Sequence, residues 1–324
     1  MKLYRLLFVA VLAAMTVLPS TAQLKPEYMP KNKSQTQTGS LLTVTTPEVP
    51  NSMTFAGKKI DLDRIDMAER MDRELAAIVY GQTSMLLCLK RANRYFGPLE
   101  KILRDQGVPT DFLYLACTES VLDPLAYSSA KAAGMWQLLA ETGRQYGLEV
   151  NDEVDERYDP EKSAVAACKY LKSAYNKYGD WATAAASYNA GMGKISGELS
   201  KQGQSSSFNL YLTQETSRYV FRILAYKLIM ENPQAYGYRL KRSQLYHPMR
   251  YTEEQVDTSV ASWVDWAKQH GLTYAQLRDA NPWIRSTKLT NTSGKTYRVR
   301  IPVKEDLSRS KRRTILYNPK WAVD

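Results

Sequence analysis

Residues 110–138 read TDFLYLACTESVLDPLAYSSAKAAGMWQL and combine an apolar helical segment with a long loop. The apolar run 112–117 predicts a short buried helix that carries Glu119 at or near its C-terminus. The following residues, 123–134, are rich in serine and alanine and contain a proline, a composition typical of a loop. A carboxyl group behind apolar residues and beside the negative end of a helix dipole is expected to have a raised pKa.

The chain around this stretch is predicted to be nearly all helical. Apolar residues at three- and four-residue spacing predict helices on both sides of it. A helix start at Asp159-Pro160-Glu161 has an N-cap, a proline in the first turn and an acid near the dipole. The expected fold class is therefore mainly α, with predicted helices over 67–80, 83–106, 112–120, 160–178, 181–190 and 213–230.

From Tyr251 onward the pattern changes. A strand is predicted over 256–260 and an alternating strand over 297–303, with two short helices between them over 262–270 and 274–281. This β-α-α-β order predicts a separate small module over residues 251–303.

The two ends of the chain differ in composition from the rest. A basic start, a short apolar core over 6–18 and small residues before position 23 predict a signal peptide over 1–22. We therefore expect an exported protein, periplasmic or otherwise associated with the cell envelope, with no integral membrane span after removal of the signal; an uncleaved N-terminal anchor is the alternative. Residues 23–60 predict a flexible spacer, and residues 304–324 a basic tail.

Charge and side-chain inventory narrow the classes of partner. The net charge of +11 suits anionic partners, but no nucleic-acid-binding motif accompanies it, so nucleic acid is not expected. Cys88, Cys117 and Cys168 are too few for a disulfide framework and are interpreted as small buried hydrophobes, although a Cys117–Cys168 bridge stays open. His247 and His270 are poorly spaced for zinc, and no metal or cofactor is expected.

Four sequence blocks in order resemble the soluble lytic transglycosylase family, most closely its membrane-bound D-type branch. They comprise the Glu-Ser pair with its downstream proline and serine, the Gly-x-Trp-Gln block, a Tyr-Asn-Ala-Gly block and a Glu-Thr-x-x-Tyr-Val block. In this chain these are Glu119-Ser120 with Pro124 and Ser128, Ala133–Gln137, Ser187–Gly191, and Glu215-Thr216 with Tyr219-Val220.

The resemblance implies a lysozyme-like helical transglycosylase domain over 61–245, with its motif core over 110–230. It implies an enzyme that cleaves the bond between N-acetylmuramic acid and N-acetylglucosamine in peptidoglycan glycan strands. Glu119 would be the single catalytic acid and then the base, and the product would carry a 1,6-anhydromuramoyl end.

The resemblance also implies six residues that bind substrate or shape the cleft. Ser128 would orient the acid or bind the substrate acetamido group, and Gln137 would bind sugar hydroxyls or the N-acetyl group. Tyr188 would donate to the substrate or to Glu119, and Asn189 would mainly shape the turn that follows it. Trp136, which is not one of the six, is expected to lie mostly in the core. The remaining two, Glu215 and Tyr219, lie four residues apart on one helix face. Tyr219 would hold the cleft together, and Glu215 would belong to the framework of the site and not act as a nucleophile.

The C-terminal module resembles a LysM domain through its helix–Gly–helix–Asn-Pro order and its closing strand. The usual Gly-Asp-Thr opening is replaced by Thr258-Ser259-Val260. Glycan binding, internal packing and docking of other cell-wall proteins through residues 251–303 are all compatible with this pattern.

Two other functions share the same motifs. A goose-type muramidase would hydrolyse the same bond with water, and Asp123 is its best candidate for a second acid, although it belongs to the Asp-Pro turn. A non-catalytic peptidoglycan-binding or scaffold protein would keep the fold without the reaction, which the intact set of site residues disfavours.

Overall fold

The computed structural model describes residues 45–292, 294–308 and 314–324. Over these residues the fold is mainly α, as predicted, and none of the described helices is long and apolar enough to cross a membrane. The predicted signal peptide, the spacer up to residue 44 and the basic run 309–313 lie outside the described residues. The helices are α1 Ile65–Tyr80, α2 Gln82–Asp105, α3 Leu113–Ser120, α4 Ala140–Gln145, α5 Pro160–Tyr178, α6 Trp181–Ala190, α7 Met192–Lys201, α8 Gln214–Glu231, α9 Trp263–Gln269 and α10 Tyr274–Ala280.

Helix α3 lies inside the main hydrophobic core and packs against α2 and α8. The Sγ atoms of Cys88 and Cys117 lie 4.0 and 3.7 Å from the Sδ atom of Met230 on α8. All three cysteines are free and buried, so their interpretation as small hydrophobes is confirmed and the Cys117–Cys168 bridge is not formed. Because α3 is enclosed on these sides, its last turn is the part that reaches the surface.

The predicted flexible spacer is wrong over residues 52–60. Strands β1 (Ser52–Phe55) and β2 (Lys58–Asp61) form an antiparallel hairpin. The Phe55 ring is buried and lies 5.5 Å from that of Phe112, and the Asp111 carboxylate accepts a 2.6 Å hydrogen bond from Ala56 N. This segment has little periodicity in sequence, but the buried side chains of Phe55 and Ile60 attach it to the core.

Two short helices were not predicted. Helix α4 has six residues, and α7 contains two glycines, Gly193 and Gly197, which lower its intrinsic helix stability. Helix α6 ends at Ala190, and Gly191 at φ +85° separates it from α7. Packing of Ile195 into the core supplies what the local sequence lacks.

The C-terminal module has the predicted β-α-α-β order. Strand β3 (Tyr251–Val256) pairs antiparallel with β4 (Tyr297–Pro302), and α9 and α10 lie between them in sequence. The strand predicted over 256–260 is wrong, because β3 ends where that prediction begins and Val260 makes only an isolated bridge with Leu289. The module has its own hydrophobic cluster, which contains Trp263, Leu277, Ile284, Tyr297 and Val299.

The C-terminal segment is not simply a basic tail. Residues 314–324 return to the helical domain, where Trp321 is 2% exposed and donates a 2.8 Å hydrogen bond from Nε1 to the carbonyl of Met230. Its ring also packs edge-on against Phe96 of α2, with 5.6 Å between ring centroids. The prediction of a basic tail overlooked an apolar anchor because a single tryptophan gives no periodic pattern.

Candidate active site

Glu119 is the last residue but one of α3, and the chain turns sharply after the helix. Val121 and Leu122 both have left-handed backbones, with φ of 56° and 57°. Such conformations cost non-glycine residues about 1–2 kcal/mol each. Burial of the Leu122 side chain and a 3.1 Å hydrogen bond from Arg91 Nη1 to the Val121 carbonyl stabilise this turn.

The Glu119 carboxyl group lies in a desolvated position. Burial raises its pKa to about 7, whereas a hydrogen bond donated by the Tyr219 hydroxyl and the positive charge of Arg222 act in the opposite direction. The negative charge of Glu215 adds to the increase in pKa. Desolvation is the largest of these effects, so near neutral pH the group can both give and take a proton.

A buried carboxylate that the sequence analysis missed positions the arginine near the acid. Glu74 of α1 is 1% exposed and pairs with Arg218 and Arg222 of α8, the latter through Nε at 3.2 Å. Arg222 also donates from Nη1 to Glu215 at 3.2 Å. Glu74 could have been found from its place on the apolar stripe of α1, between Met71 and Ile78, where a charge needs a partner.

The loop that carries Gln137 is held against neighbouring backbone. Gly134 has φ of 77°, and a Cβ atom there would lie 1.8 Å from the carbonyl oxygen of Arg157. Gln137 donates from Nε2 to the carbonyls of Gly134 and Ala126, at 2.8 and 3.3 Å. Trp136 is fully buried, as predicted. The Gln137 amide nitrogen thus stabilises its own loop.

Two hydroxyl groups attach this loop to helices. Ser120 Oγ donates to the carbonyl of Met135 at 2.8 Å, a contact the sequence analysis did not anticipate. The Tyr188 hydroxyl donates to the carbonyl of Trp136 at 2.7 Å. Of its two predicted partners, Glu119 is therefore not bound in this structure, and the substrate stays a prediction. Tyr188 is nevertheless close enough for the charge of Glu119 to raise its pKa, in addition to the effect of burial.

The other predicted residues contact groups other than the acid. Ser128 Oγ accepts from Ala132 N at 3.1 Å and stabilises a turn of the loop, so the predicted contact with the acid is not formed. Asn189 is exposed in the last turn of α6, beside the Gly191 turn. Glu215 is 60% exposed in its side chain and bound to Arg222. Of the predicted residues, only Tyr219 contacts Glu119 directly. Tyr188 contacts the loop at Trp136, and Gln137 is part of that loop.

Asp123, the best candidate for a second acid, is occupied. Its Oδ2 atom forms an ion pair with Arg91 Nη2 at 2.7 Å, and its Oδ1 atom accepts from Leu125 N at 2.9 Å. These contacts stabilise the Asp-Pro turn. Both carboxylate oxygens of Asp123 thus already take part in the structure of the turn.

Comparison with known proteins finds matches for two stretches of the chain. Residues 99–211 match the transglycosylase SLT domain, and residues 252–305 match the soluble lytic transglycosylase C-terminal LysM-like domain. The chain is 31% identical over 219 residues to membrane-bound lytic murein transglycosylase D of Escherichia coli K12, an alignment that covers 66% of this chain and 47% of that protein. The predicted resemblances to the two domains are therefore confirmed, while the chain spans about half the length of this curated relative.

More distant similarities extend over smaller parts. A putative tributyltin chloride resistance protein of Alteromonas sp. strain M-1 is 26% identical over 106 residues, which is 32% of this chain and 51% of that protein. Among solved structures, the 70 kDa soluble lytic transglycosylase of Escherichia coli has a TM-score of 0.38 and 19% identity, covering 50% of this chain and 30% of its own. An inactive mutant of the lytic transglycosylase Slt from Pseudomonas aeruginosa has a TM-score of 0.34 and 22% identity, covering 41% and 23%.

Proposed function

We propose that this chain, which carries a transglycosylase SLT domain, is a peptidoglycan lytic transglycosylase. It would cleave the β-1,4 bond between N-acetylmuramic acid and N-acetylglucosamine and leave a 1,6-anhydromuramoyl end. The observation that supports this most directly is one desolvated carboxyl group, Glu119, with a pKa of about 7 inside the matched domain. The other two candidate carboxylates nearby, Asp123 and Glu215, are each bound to an arginine.

In the first step, protonated Glu119 would donate its proton to the glycosidic oxygen as the bond to the muramoyl anomeric carbon breaks. The substrate's own N-acetyl oxygen would stabilise the positive charge at that carbon. Glu119 is left as a carboxylate. The hydroxyl of Tyr219, which already donates to Oε1, would stabilise the charge in this interval.

In the second step, the Glu119 carboxylate would take the proton from the muramoyl 6-hydroxyl group. The oxygen of that group then attacks the anomeric carbon and closes the anhydro ring. The proton lost in the first step is recovered, so Glu119 returns to its initial state and no water is consumed.

The remaining site residues take supporting roles in this proposal. Gln137 would accept a substrate N–H on its amide oxygen, since its nitrogen is bound to loop carbonyls. Tyr188 would maintain the loop through Trp136, and Ser128 would shape the loop and bind the substrate acetamido group. Asn189 would shape the turn at Gly191, and Glu215 would hold Arg222 near the acid.

Export and location belong to the same proposal. The predicted signal peptide over 1–22 and the excess of basic residues suit a periplasmic protein that acts on an anionic wall polymer. Docking of other cell-wall proteins through residues 251–303 stays a prediction.

Digestion of purified peptidoglycan, followed by mass spectrometry of the released muropeptides, tests the function. We expect anhydro ends from the wild-type protein and none from Glu119→Gln, with Glu141→Gln, an exposed residue of α4, as the matched control that keeps activity. Release of reducing ends would identify a hydrolase instead. No release from the folded wild-type protein would favour a binding or scaffold role.

A further inference from the structure

The C-terminal module is joined to the helical domain through backbone hydrogen bonds. Val154 forms an antiparallel bridge with Ile284, and Asp155 N donates to the carbonyl of Trp283 at 2.9 Å. Arg285 N donates to the carbonyl of Glu153, also at 2.9 Å. Val154 is 1% exposed and belongs to the hydrophobic cluster of the module. Residues 153–155 are therefore packed as part of the module.

Side chains on both sides reinforce this junction. Thr290 of the module donates to Glu153 from its backbone N at 2.6 Å and from Oγ1 at 2.7 Å. Lys295 Nζ forms ion pairs with Glu149 at 2.9 Å and with Glu156 at 3.4 Å. These contacts attach Glu149, Glu153 and Glu156 to Thr290 and Lys295 of the module.

The same segment reaches the loop of the candidate active site through Arg157. Arg157 and Asp155 are each 6% exposed and pair through two hydrogen bonds, at 3.0 and 2.7 Å, from Nε and Nη2. The third nitrogen, Nη1, donates to the carbonyls of Lys131 and Leu138, at 3.0 and 3.1 Å. One guanidinium group thus binds both ends of the 131–138 loop.

The loop in turn contacts the helix that carries the acid. Its Met135 carbonyl accepts from Ser120, the residue after Glu119, and its Trp136 carbonyl accepts from Tyr188. Gln137 lies between these points and Leu138. A shift of the loop at the Leu138 carbonyl, which Arg157 binds, would therefore move Gln137 relative to Glu119.

We propose that the C-terminal module positions the 131–138 loop for substrate binding, with Arg157 as the positioning residue through which residues 149–157 act. The inference rests on the proposed function for its kinetic consequences, but not for its structural one. It assigns the module a role inside the catalytic domain, independent of any glycan that the module itself binds.

The test loosens the junction from the module side and leaves the loop unchanged. The variant Lys295→Met/Thr290→Val removes one ammonium group and one hydroxyl that contact residues 149–156. Lys268→Met/Thr252→Val is the matched control, because Lys268 is exposed and pairs with Asp265 inside the module, and Thr252 is an exposed residue of β3.

Hydrogen exchange of the full-length protein measures the order of the loop and does not require enzymatic activity. The backbone N–H groups of Ala132, Ala133, Gly134 and Gln137 all donate within the loop region. We expect these amides to exchange about fivefold to tenfold faster in the test variant than in the control, because local opening becomes less costly. Unchanged exchange in folded protein would overturn the inference, whatever the enzyme does.

Kinetics on a soluble glycan fragment measure the consequence for the reaction. We expect KM to rise about threefold to tenfold and kcat to stay within about twofold of the control. A less ordered loop would weaken the binding of the substrate and of the transition state by the same amount. A variant that only lowers Tm, with KM unchanged, would show that the junction is structural and that the proposed positioning is wrong. If the wild-type protein itself shows no turnover, the proposed function fails while the exchange result stands on its own.

Discussion

At Glu119 the fold keeps a carboxyl group in an environment that opposes its ionisation. Burial raises the pKa to about 7, from an ordinary value of 4.5. Between those two values the folded state keeps a proton that the unfolded chain releases. Stability from this group is therefore fully present below about pH 4.5 and is lost as the pH rises through about 7.

The first prediction concerns the pH dependence of activity and stability together. We expect kcat/KM to fall about tenfold per pH unit above about pH 7, because the acid must be protonated to start the reaction. Glu119→Gln, which cannot ionise, should be more stable than wild type by about 3 kcal/mol near pH 8, and no more stable near pH 4. Urea unfolding at the two pH values measures the difference; equal stability at pH 8 would mean that the carboxyl group is solvated.

The second prediction concerns the hydrogen bond from Tyr219 to Glu119. This bond favours the carboxylate, so Tyr219→Phe should raise the pKa of Glu119 further and move the alkaline limb of the kcat/KM profile up by roughly one pH unit. The pH–rate profile of the variant is the measurement.

Tyr238→Phe is the matched control. Its hydroxyl is also buried but donates to the carbonyls of Ile78 and Val79, so its loss should reduce stability and leave the pH profile in place. A downward shift of the profile in Tyr219→Phe would contradict the assigned role.

Among the structural elements, the 131–138 loop depends most on a single backbone position. Gly134 lies in the left-handed region and packs directly on the backbone of Arg157. Gly203 also has a positive φ, of 63°, but an added Cβ atom would meet nothing within 4 Å. Substitution of Gly203 therefore measures backbone strain alone, whereas substitution of Gly134 measures backbone strain together with a steric clash.

The third prediction uses this pair. Gly134→Ala should destabilise the fold by about 3 kcal/mol or more and reduce kcat/KM strongly, because backbone must move to admit the methyl group. Gly203→Ala should cost only about 1–2 kcal/mol, from strain alone, with kinetics unchanged. Thermal unfolding and kinetics on the same preparations test both, and similar losses in the two variants would refute the close contact.

The helical elements were largely predictable from apolar spacing and caps. Helix α6 has the predicted bounds, and α5 begins at Pro160 with Asp159 as its N-cap, accepting from Glu161 N and Lys162 N. The hairpin over 52–61 and helix α7 were not predictable, because their apolar residues form no periodic pattern. Those residues stabilise the two elements only by packing against distant parts of the core.

At the scale of the whole molecule, the C-terminal segment is attached to the centre of the helical domain. Trp321 contacts Phe96 of α2 and the end of α8 at Met230, residues far apart in sequence. Removal of this side chain would leave a cavity beside both helices.

The fourth prediction is that Trp321→Ala destabilises the protein by about 3–5 kcal/mol, the usual effect of truncating a buried aromatic side chain. Val323→Ala, at a residue 44% exposed, should change stability by less than about 0.5 kcal/mol. Chemical unfolding of both variants is the test, and a loss below 1 kcal/mol for Trp321→Ala would mean that the segment is not a stable part of the fold.

The sequence by itself determined the mainly α class and the β-α-α-β order of the C-terminal module, because helical periodicity, caps and alternation are local properties. Glu119 became the candidate acid through the resemblance of its sequence blocks to the transglycosylase family. Only the tertiary structure decided which group contacts that acid. The Tyr219 hydroxyl donates a hydrogen bond to Glu119, whereas the Tyr188 hydroxyl donates to the Trp136 carbonyl. Ser128 Oγ accepts from Ala132 N within its own turn. It also revealed Glu74 and Arg157, whose partners are distant in sequence. Hydrogen-bond partners and desolvation depend on which elements pack against each other. The order of residues along the chain does not give the distances between residues that are far apart in sequence.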